Sequence, residues 1–497
     1  MSFTVKVLPS GTVLQADEGV SLFELLRDNG LSPESPCGGK GLCGKCRITV
    51  NGEEMLACKT AVDRDMEVII PEKAKTEVLV SGAQTELEMD PAKEGPLLAF
   101  DIGTTTVVCY LLDGKTGAEL AHASMLNPQQ PYGADVISRI QAALSGELES
   151  QRDIIRKGMT ELIEECCRSA GVSPESVGVI SVVGNPCMQQ LFMGILPENL
   201  AGVPFPPVLV KSELVSAADY LPVCPNALLA VVPDISGYVG ADTVGCVVST
   251  KMYEAEDEVL MVDIGTNGEM VLHSKGRLTA CSTAAGPALE GAKIKFGMRG
   301  SPGAIDHVSY EDGEIKCTVI GDTEAVGICG SGLIDAVAVA LKAGLINKGG
   351  RIQCKDEIDG QRFIRLTDKV YLTQEDIREV QLAKGAIAAG IRLMAEQLDI
   401  EISDIDRVLL AGAFGSFMNP DSACTIGLLP SELSGKVIAV GNAAGAGSKM
   451  IACSRGELDR CEEIIKKTEF IELAALPQFQ MTFAMGMYFK DPDDDDD

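Results

Sequence analysis

Four cysteines stand close enough in the chain to share one metal centre. Cys37, Cys43, Cys46 and Cys58 fall within 22 residues, spaced Cys-x5-Cys-x2-Cys-x11-Cys. Four thiolates can hold zinc or an iron–sulfur cluster. A structural zinc site usually draws its thiols as two separate Cys-x2–4-Cys knuckles. Here three thiols share one tight loop, and the fourth comes from a nearby strand end. Gly38, Gly39, Gly41 and Gly44 allow backbone N–H groups to turn toward sulfur, which tunes a cluster's potential. Lys40 and Lys45 can offset its negative charge. The pattern favours [2Fe–2S] over zinc, and either over incidental buried thiols.

A second chemistry is written twice. Leu97–Thr106 reads LLAFDIGTTT, and Val259–Gly268 reads VLMVDIGTNG. Each is an apolar run ending in Asp-Ile-Gly-Thr that turns back into another apolar run. Asp101 and Asp263 lie 162 residues apart. Glycine permits a turn tight enough for N–H groups to face a phosphate oxygen, and the strand-end Asp can orient Mg²⁺ directly or through water. One such motif is weak evidence. Two copies can clamp a nucleotide from both sides. Gly103, Thr104, Thr105 and Thr106 in the first copy would supply donors, as would Gly265, Thr266, Asn267 and Gly268 in the second. Glu269 is a candidate base; the competing reading is a solvated strand-edge carboxylate.

Three further segments extend this site. Arg407–Ser416 reads as a buried strand entering a Gly-rich turn, where Gly412, Ala413 and Gly415 suit close approach of a flat base. Gln381 and Lys384, at i and i+3 of one helix, could reach ribose and adenine or simply face solvent. Gly330 and Ser331 open an apolar helix, either as an anion-facing N-terminus or as an ordinary capped start.

The elements that must position these groups follow from local pattern. Residues 3–7 alternate, a Pro-Ser-Gly-Thr turn follows, and the chain returns at 13–15 as a hairpin. Ser21 caps an amphipathic helix that Gly30 stops. Strands are expected at 46–50 and 66–70. This gives a β-grasp order over residues 1–75, then a charged linker over 76–96 with room for one short strand. Beyond it, strands and helices alternate in an α/β pattern, one half over 97–258 and another over 259–485, then an acidic tail over 486–497. Helices are expected near 133–146, 152–170, 331–343, 376–398 and 443–452.

Composition narrows the class. The 497 residues carry 42 Lys+Arg against 72 Asp+Glu, a formal charge of −30. That argues against nucleic acid and against an anionic membrane as partners. Three histidines rule out sites built on several His. Seventeen cysteines, an odd number placed mostly singly in apolar runs, do not describe a disulfide scaffold. With no leader pattern and no apolar run near 18 residues, a soluble cytoplasmic protein is expected.

The cysteine segment resembles a [2Fe–2S] ferredoxin domain, with x5 where the plant type has x4 and a shorter final gap. The order of the later elements resembles the actin, Hsp70 and sugar-kinase superfamily over about residues 97–485. The resemblance implies phosphate motifs at Asp101–Thr106 and Asp263–Glu269 and an adenosine motif at Ala411–Ser416. It also implies paired connecting helices at Val182–Phe192 and Gly441–Met450. Together the two parts are similar to the ATP-dependent reductive activators of corrinoid proteins. Tyr132–Ile140, Gly237–Asp242, Cys281–Pro287 with Glu290–Ala292, Cys329–Gly332 and Gln381–Ile387 look like that family's hallmarks. Two features depart from it: no extra domain separates the linker from the first phosphate strand, and Pro186 and Gln190 stand where Thr and His are frequent.

The resemblance implies a two-lobed ATPase preceded by a ferredoxin-like head, binding [2Fe–2S] and ATP with Mg²⁺. Its implied partners are a corrinoid protein of a methyltransferase system and a low-potential electron donor; a homodimer is left open. Two other classes remain at this stage: an electron-injecting activator of a dehydratase or radical enzyme, and a chaperone-like ATPase with a structural metal. Asp135, Asp242 and Glu290 acquire no individual role from the sequence.

Overall fold

The computed structural model describes residues 2–33, 35, 38–39, 41, 45–71, 87–90, 95–354, 356–358 and 360–489. Cys37, Cys43, most of the expected linker with its short strand, and the final eight residues lie outside this set.

The head is a five-stranded sheet holding one helix. Strands β1 (Ser2–Leu8) and β2 (Thr12–Asp17) form the expected hairpin, and α1 (Leu22–Asp28) begins where Ser21 accepts a hydrogen bond from the Glu24 amide. Strands β3 (Arg47–Val50), β4 (Glu53–Leu56) and β5 (Met66–Ile69) complete the order β2-β1-β5-β3-β4. Inward alternation on β1, β3 and β5 buries Val5, Val7, Ile48 and Val68 against Leu22 and Leu26. Strand β4 was not anticipated, because Glu53 and Glu54 are exposed and give it no apolar face.

The first lobe contains β6 (Leu97–Ile102), β7 (Thr106–Leu112), β8 (Glu119–Leu126), α2 (Val136–Ala142) and α3 (Leu148–Ala170). It continues with β9 (Val179–Gly184), α4 (Pro186–Met193), β10 (Glu213–Ser216), β11 (Leu228–Val231) and α5 (Ala241–Thr250). The second lobe opens with β12 (Val259–Ile264), β13 (Gly268–Ser274) and β14 (Arg277–Thr283). A small sheet of β15 (Ala304–Glu311), β16 (Glu314–Val319) and β17 (Gly327–Ile328) precedes α6 (Gly330–Lys342). A second small sheet, β18 (Glu357–Ile358), β19 (Gln361–Arg365) and β20 (Tyr371–Thr373), precedes α7 (Gln374–Leu398). The chain then runs through β21 (Arg407–Ala411), α8 (Gly412–Phe417), α9 (Pro420–Thr425), β22 (Val437–Gly441) and α10 (Ala443–Cys453). It ends with α11 (Arg455–Lys467), β23 (Thr468–Phe470) and α12 (Phe479–Gly486).

The duplication inferred from the two Asp-Ile-Gly-Thr copies is present in the topology. One sheet runs β10-β11-β9-β6-β7-β8 and the other β22-β21-β12-β13-β14-β23. In both, an antiparallel meander of three strands is extended by two parallel strands on the side of its first strand. Strands β6 and β12 are central and covered on both faces, which is why each reads as a continuous apolar run.

One expected pairing is corrected. Val182–Phe192 is not a single helix: Val182 and Val183 complete β9 beside β6, and Asn185 with Pro186 then opens α4. β-branched residues favour the strand, while an Asn N-cap with Pro at the first position favours a helix start. The helix that packs against α10 is α5. A Cβ on Gly447 would lie 2.0 Å from the Gly245 carbonyl oxygen, so these helices cross in backbone contact. Helix α10 also reaches into the first lobe, where Ser448 Oγ donates to Phe100 O at 3.0 Å and lies 2.7 Å from Ser181 Oγ. Among the described residues no helix is long and apolar enough to cross a membrane.

Candidate nucleotide and iron–sulfur sites

The two hairpin turns are built alike. The Gly103 amide donates to Thr106 O at 2.9 Å, and the Gly265 amide to Asn267 O at 2.8 Å. Each places an Asp at the end of the strand entering the turn. Asp263 has Glu269 beside it on β13 and Ala411 on β21, so both ends of the second phosphate motif and the start of the adenosine motif meet on one line across the second sheet. Its counterpart Asp101 is flanked by Val108 and Val183, so the first lobe has no second carboxylate at the matching position.

The Ala411–Ser416 segment joins this line at close range. Gly412 has φ +83°, and a Cβ there would lie 2.6 Å from Asp263 Oδ1. Gly330 is equally confined, since its Cβ would meet the Leu289 carbonyl at 2.0 Å and the Phe414 ring at 2.6 Å. Helix α6 starts at Gly330 after Cys329 with no side-chain cap, so the capped-start alternative for Gly330 and Ser331 does not describe it. A Cβ on Gly415 in α8 would lie 3.0 Å from Leu410 Cβ at the end of β21. Ala413 lies in α8.

Four carboxylates gather between the lobes. Burial pushes Asp101 and Asp263 each up to about 6, with Asp101 a further cause at Asp263. Asp242, in the first turn of α5, rises to about 7 through burial and through Asp263 and Asp101. Glu269 is pushed well above its ordinary range by burial, then by Asp242 and Asp263. It is therefore not a solvated strand-edge group. Like charges crowded in low dielectric resist ionisation unless a cation joins them. Among the described residues, no three Cys, His, Asp or Glu converge as a ready metal cage. Mg²⁺ typically takes one or two carboxylates and completes its shell with water and phosphate oxygens, so this donor set fits it.

Side chains outside the anticipated set hold the site. Asn442 Nδ2 donates to Asp101 Oδ2 at 2.9 Å. Asn185 Nδ2 donates to Thr104 Oγ1 at 3.0 Å, and Asn127 Nδ2 to Gly103 O at 2.8 Å. The fully buried Arg139 donates to Thr104 O at 2.6 Å and to Gly133 O at 3.0 Å. Glu290 accepts from Thr105 Oγ1 at 2.8 Å and from Thr266 Oγ1 at 2.6 Å, joining one hydroxyl from each hairpin. Asp135 acquires a local role as the N-cap of α2, accepting from the Ser138 amide at 2.7 Å.

In the head, the thiols of Cys46 and Cys58 lie 3.2 Å apart. This is well beyond a disulfide bond and suits two thiolates converging on one centre. Gly38, Gly39 and Gly41 have φ of +59°, +80° and +76°, and a Cβ on Gly39 would strike the Phe23 ring at 2.5 Å. A loop in this conformation against a helix can turn its amides toward sulfur, so the described part fits a cluster. The head also meets both lobes through described residues. A Cβ on Gly38 would lie 3.4 Å from Pro131 O, Arg27 sits 5.5 Å from the Tyr132 ring centroid, and Lys45 Nζ donates to Gly297 O at 3.4 Å.

The structure uses Gln381 and Lys384 differently from expectation. Both are buried under the C-terminal segment: Gln381 Nε2 donates to Gly349 O and Met487 O, and Lys384 Nζ donates to Tyr488 O. Lys384 also lies 5.1 Å from the Phe489 ring centroid. Phe489 is buried and its amide donates to Lys348 O, so the chain is still packed beyond the expected tail start at 486.

Comparison with known proteins bears on these sites. Residues 257–496 match the family described as the C-terminal domain of RACo, the ASKHA domain; residues 97–255 match the RACo middle region; residues 5–68 match the 2Fe-2S iron-sulfur cluster binding domain. The corrinoid activation enzyme RamQ of Eubacterium limosum is 32% identical, over 93% of this chain and 95% of that protein. The chain belongs to the RACo family of reductive activators. The [Co(II) methylated amine-specific corrinoid protein] reductase of Methanosarcina barkeri is 28% identical over 74% of this chain and 72% of its own. A solved structure, the reductive activator for corrinoid,iron-sulfur protein, superposes with a TM-score of 0.72 at 28% identity, covering 98% of both chains. As a RACo-family member the chain has a [2Fe–2S] head and an ASKHA-type ATPase body, the fold class expected from its sequence.

Proposed function

We propose that this protein reactivates a corrinoid methyl-carrier protein, returning inactive Co(II) to Co(I) in a one-electron reduction coupled to ATP hydrolysis. The observation that carries the reading is a cysteine-bearing head that touches both lobes through Gly38, Arg27 and Lys45, while the two phosphate-type hairpins of those lobes meet at Glu290. Reduction to Co(I) is uphill from ordinary donors, and each 59 mV of one-electron potential corresponds to about 1.4 kcal/mol. ATP can drive it only if the docked and free forms bind nucleotide differently.

In this reading Cys37, Cys43, Cys46 and Cys58 hold a [2Fe–2S] group, which supplies one-electron transfer when bound. Asp101 and Asp263 orient Mg²⁺ and the attacking water. The turn amides of Gly103, Gly265 and Gly268, the hydroxyls of Thr104, Thr105, Thr106 and Thr266, and the Asn267 amide receive the phosphates. The uncapped N-terminus at Gly330 and Ser331 adds amide donors, and the Gly412–Gly415 turn faces the base. Glu269, beside Asp263 on β13, is the group placed to accept the water proton, and a bound Mg²⁺ would supply the positive charge that favours its ionised form. The other implied partner is a low-potential electron donor.

The test mixes the protein, ATP, a reductant and a purified Co(II) corrinoid protein, and follows Co(II) absorbance and phosphate release together. The expected result is loss of Co(II) that requires ATP, with phosphate release stimulated by the corrinoid protein. If the corrinoid protein stimulates neither signal, the reading fails.

A further inference from the structure

A cationic window opens in this acidic molecule beside two of the head's thiols. Asp and Glu number 72 in the 497 residues, yet residues 35–52, 55–62 and 291–305 hold none. The first two stretches carry Cys46 and Cys58 together with Lys45, Arg47 and Lys59. The third carries Lys293, Lys295 and Arg299. The fold brings these stretches together. Lys45 Nζ donates to Gly297 O at 3.4 Å, and Lys293, Lys295 and Arg299 all lie within four residues of that contact. The chain there is tightly turned, since a Cβ on Gly297 would lie 2.0 Å from the Gly291 carbonyl oxygen. Lys59 follows Cys58, whose thiol is 3.2 Å from that of Cys46.

Few carboxylates answer these cations. Glu54 pairs with Arg47, and Glu379 lies 3.6 Å from the exposed Lys293. The Asp376 carboxylate is buried and taken up by the Lys295 amide and by Thr373. Lys295 Nζ lies 4.8 Å from the Tyr371 ring centroid. Among the described residues, Lys45, Lys59 and Arg299 have no carboxylate within ion-pair distance. Lys45, Lys59, Lys293 and Lys295 are exposed. None of the large apolar side chains exposed on the described surface belongs to these stretches.

We propose that this window, built by Lys45 and Lys59 of the head and Lys293, Lys295 and Arg299 of the second lobe, is where an acidic one-electron carrier protein docks to reduce the cluster. The molecule as a whole carries −30 and repels an acidic partner. At about 0.1 M salt, charges beyond about 10 Å are screened, so the local cations decide where such a partner lands. A charged surface without exposed apolar anchors suits a short-lived electron-transfer encounter, which buries little area and is steered by charge. A corrinoid protein held through a nucleotide cycle needs a longer-lived contact, and buried apolar and aromatic anchors dominate such contacts. In the step itself the carrier is oxidised by one electron and the cluster reduced by one; no bond forms and no proton moves. This rests on the reading that the head holds a [2Fe–2S] group fed by a separate donor. Its main readout needs neither ATP nor corrinoid protein, so either can fail while the other stands.

The experiment uses the full-length holoprotein, with a reduced acidic ferredoxin as the probe. Visible absorbance of the cluster is followed after rapid mixing at about 0.05 M and about 0.5 M salt. In the parent, the second-order rate constant is expected to fall as salt rises. The double variant Lys293→Glu, Arg299→Glu leaves the thiols untouched and should lower that constant about tenfold at low salt, with the gap closing at high salt. Reduced methyl viologen, a small cation, should reduce the variant at least as fast as the parent, which separates lost docking from a damaged cluster. Carbodiimide coupling, mapped by mass spectrometry, should join ferredoxin carboxylates to Lys45, Lys59, Lys293 or Lys295. A parent rate that is flat or rising with salt overturns the proposal, as does a variant that keeps the parent's rate with ferredoxin. Competition by purified Co(II) corrinoid protein against the ferredoxin would assign the window to that protein instead, and coupling confined to a second copy of this chain would make it a self-contact; either result also overturns the proposal.

Discussion

Asn442 joins the ends of the ATPase region by holding Asp101 across 341 positions of sequence, its Nδ2 lying 2.9 Å from Asp101 Oδ2. Its own Oδ1 accepts from the Gly445 amide at 2.7 Å and so caps α10. Asn442→Ala removes both bonds. The lost cap costs about 1 kcal/mol of stability. The bond to Asn442 lowers the Asp101 pKa, so its loss lets that pKa rise further above 6. Mg·nucleotide binding, followed by calorimetry, is expected to move to higher pH in this variant.

The raised carboxylates give the parent its own pH signature. Asp101, Asp263 and Asp242 hold protons up to about 6, 6 and 7, against an ordinary value of 3.8. A carboxyl raised on folding adds stability below its unfolded pKa and loses it as pH climbs through the folded value. The melting temperature of the nucleotide-free protein is therefore expected to fall between about pH 4 and pH 7.5 from these groups. Mg²⁺ with nucleotide needs the ionised forms, so its stabilising effect should grow over the same interval. Thermal melts at half-unit steps with and without Mg·nucleotide check both slopes. Asp242→Asn should flatten them.

Gly412→Ala tests the close approach of the Ala411–Ser416 segment to the second hairpin. The new methyl would sit 2.6 Å from Asp263 Oδ1 at a φ of +83°, where side chains are strained. Relief must displace Asp263 or the turn. A loss of nucleotide affinity of about tenfold or more is expected, with stability lowered by about 1–3 kcal/mol. Gly313→Ala, also at positive φ but with open space around its Cβ, separates backbone strain from the effect on Asp263.

Cys58→Ser should bleach the protein, with iron and acid-labile sulfide lost together. Cys224→Ser is the comparison, because Cys224 is buried in the first lobe among apolar residues with its thiol pushed up to about 12. It should stay coloured. Zinc in place of iron in the parent, or full colour in Cys58→Ser, would remove the cluster assignment for this thiol.

What could be read from sequence was what the chain writes locally. The repeated Asp-Ile-Gly-Thr turns sit on strands buried on both faces, so their apolar runs and glycines carried the duplicated fold directly. Ser21 and the β1–β2 hairpin were equally local. Glu290 and Arg139 fell in stretches that resembled the family, but their roles could not be read, because each reaches a phosphate hairpin residue far along the chain, 185 and 35 positions away. Gln381 and Lys384 share a helix face as expected, but what covers that face is chain about a hundred positions later. The partner of α10 was misplaced for a related reason. Gly245 and Gly447 mark the crossing, and a glycine in an apolar helix does not announce what it touches.

Helix α10 is numbered with the second half yet finishes the interior of the first. Ser448 bonds to Phe100 and Ser181, and Ala452 and Cys453 pack with Leu97, Ala99 and Tyr110. A polypeptide stopped at residue 258 would bare that surface, and one begun at 259 would carry α10 with nothing to close over. Each half therefore completes its interior only with the other present.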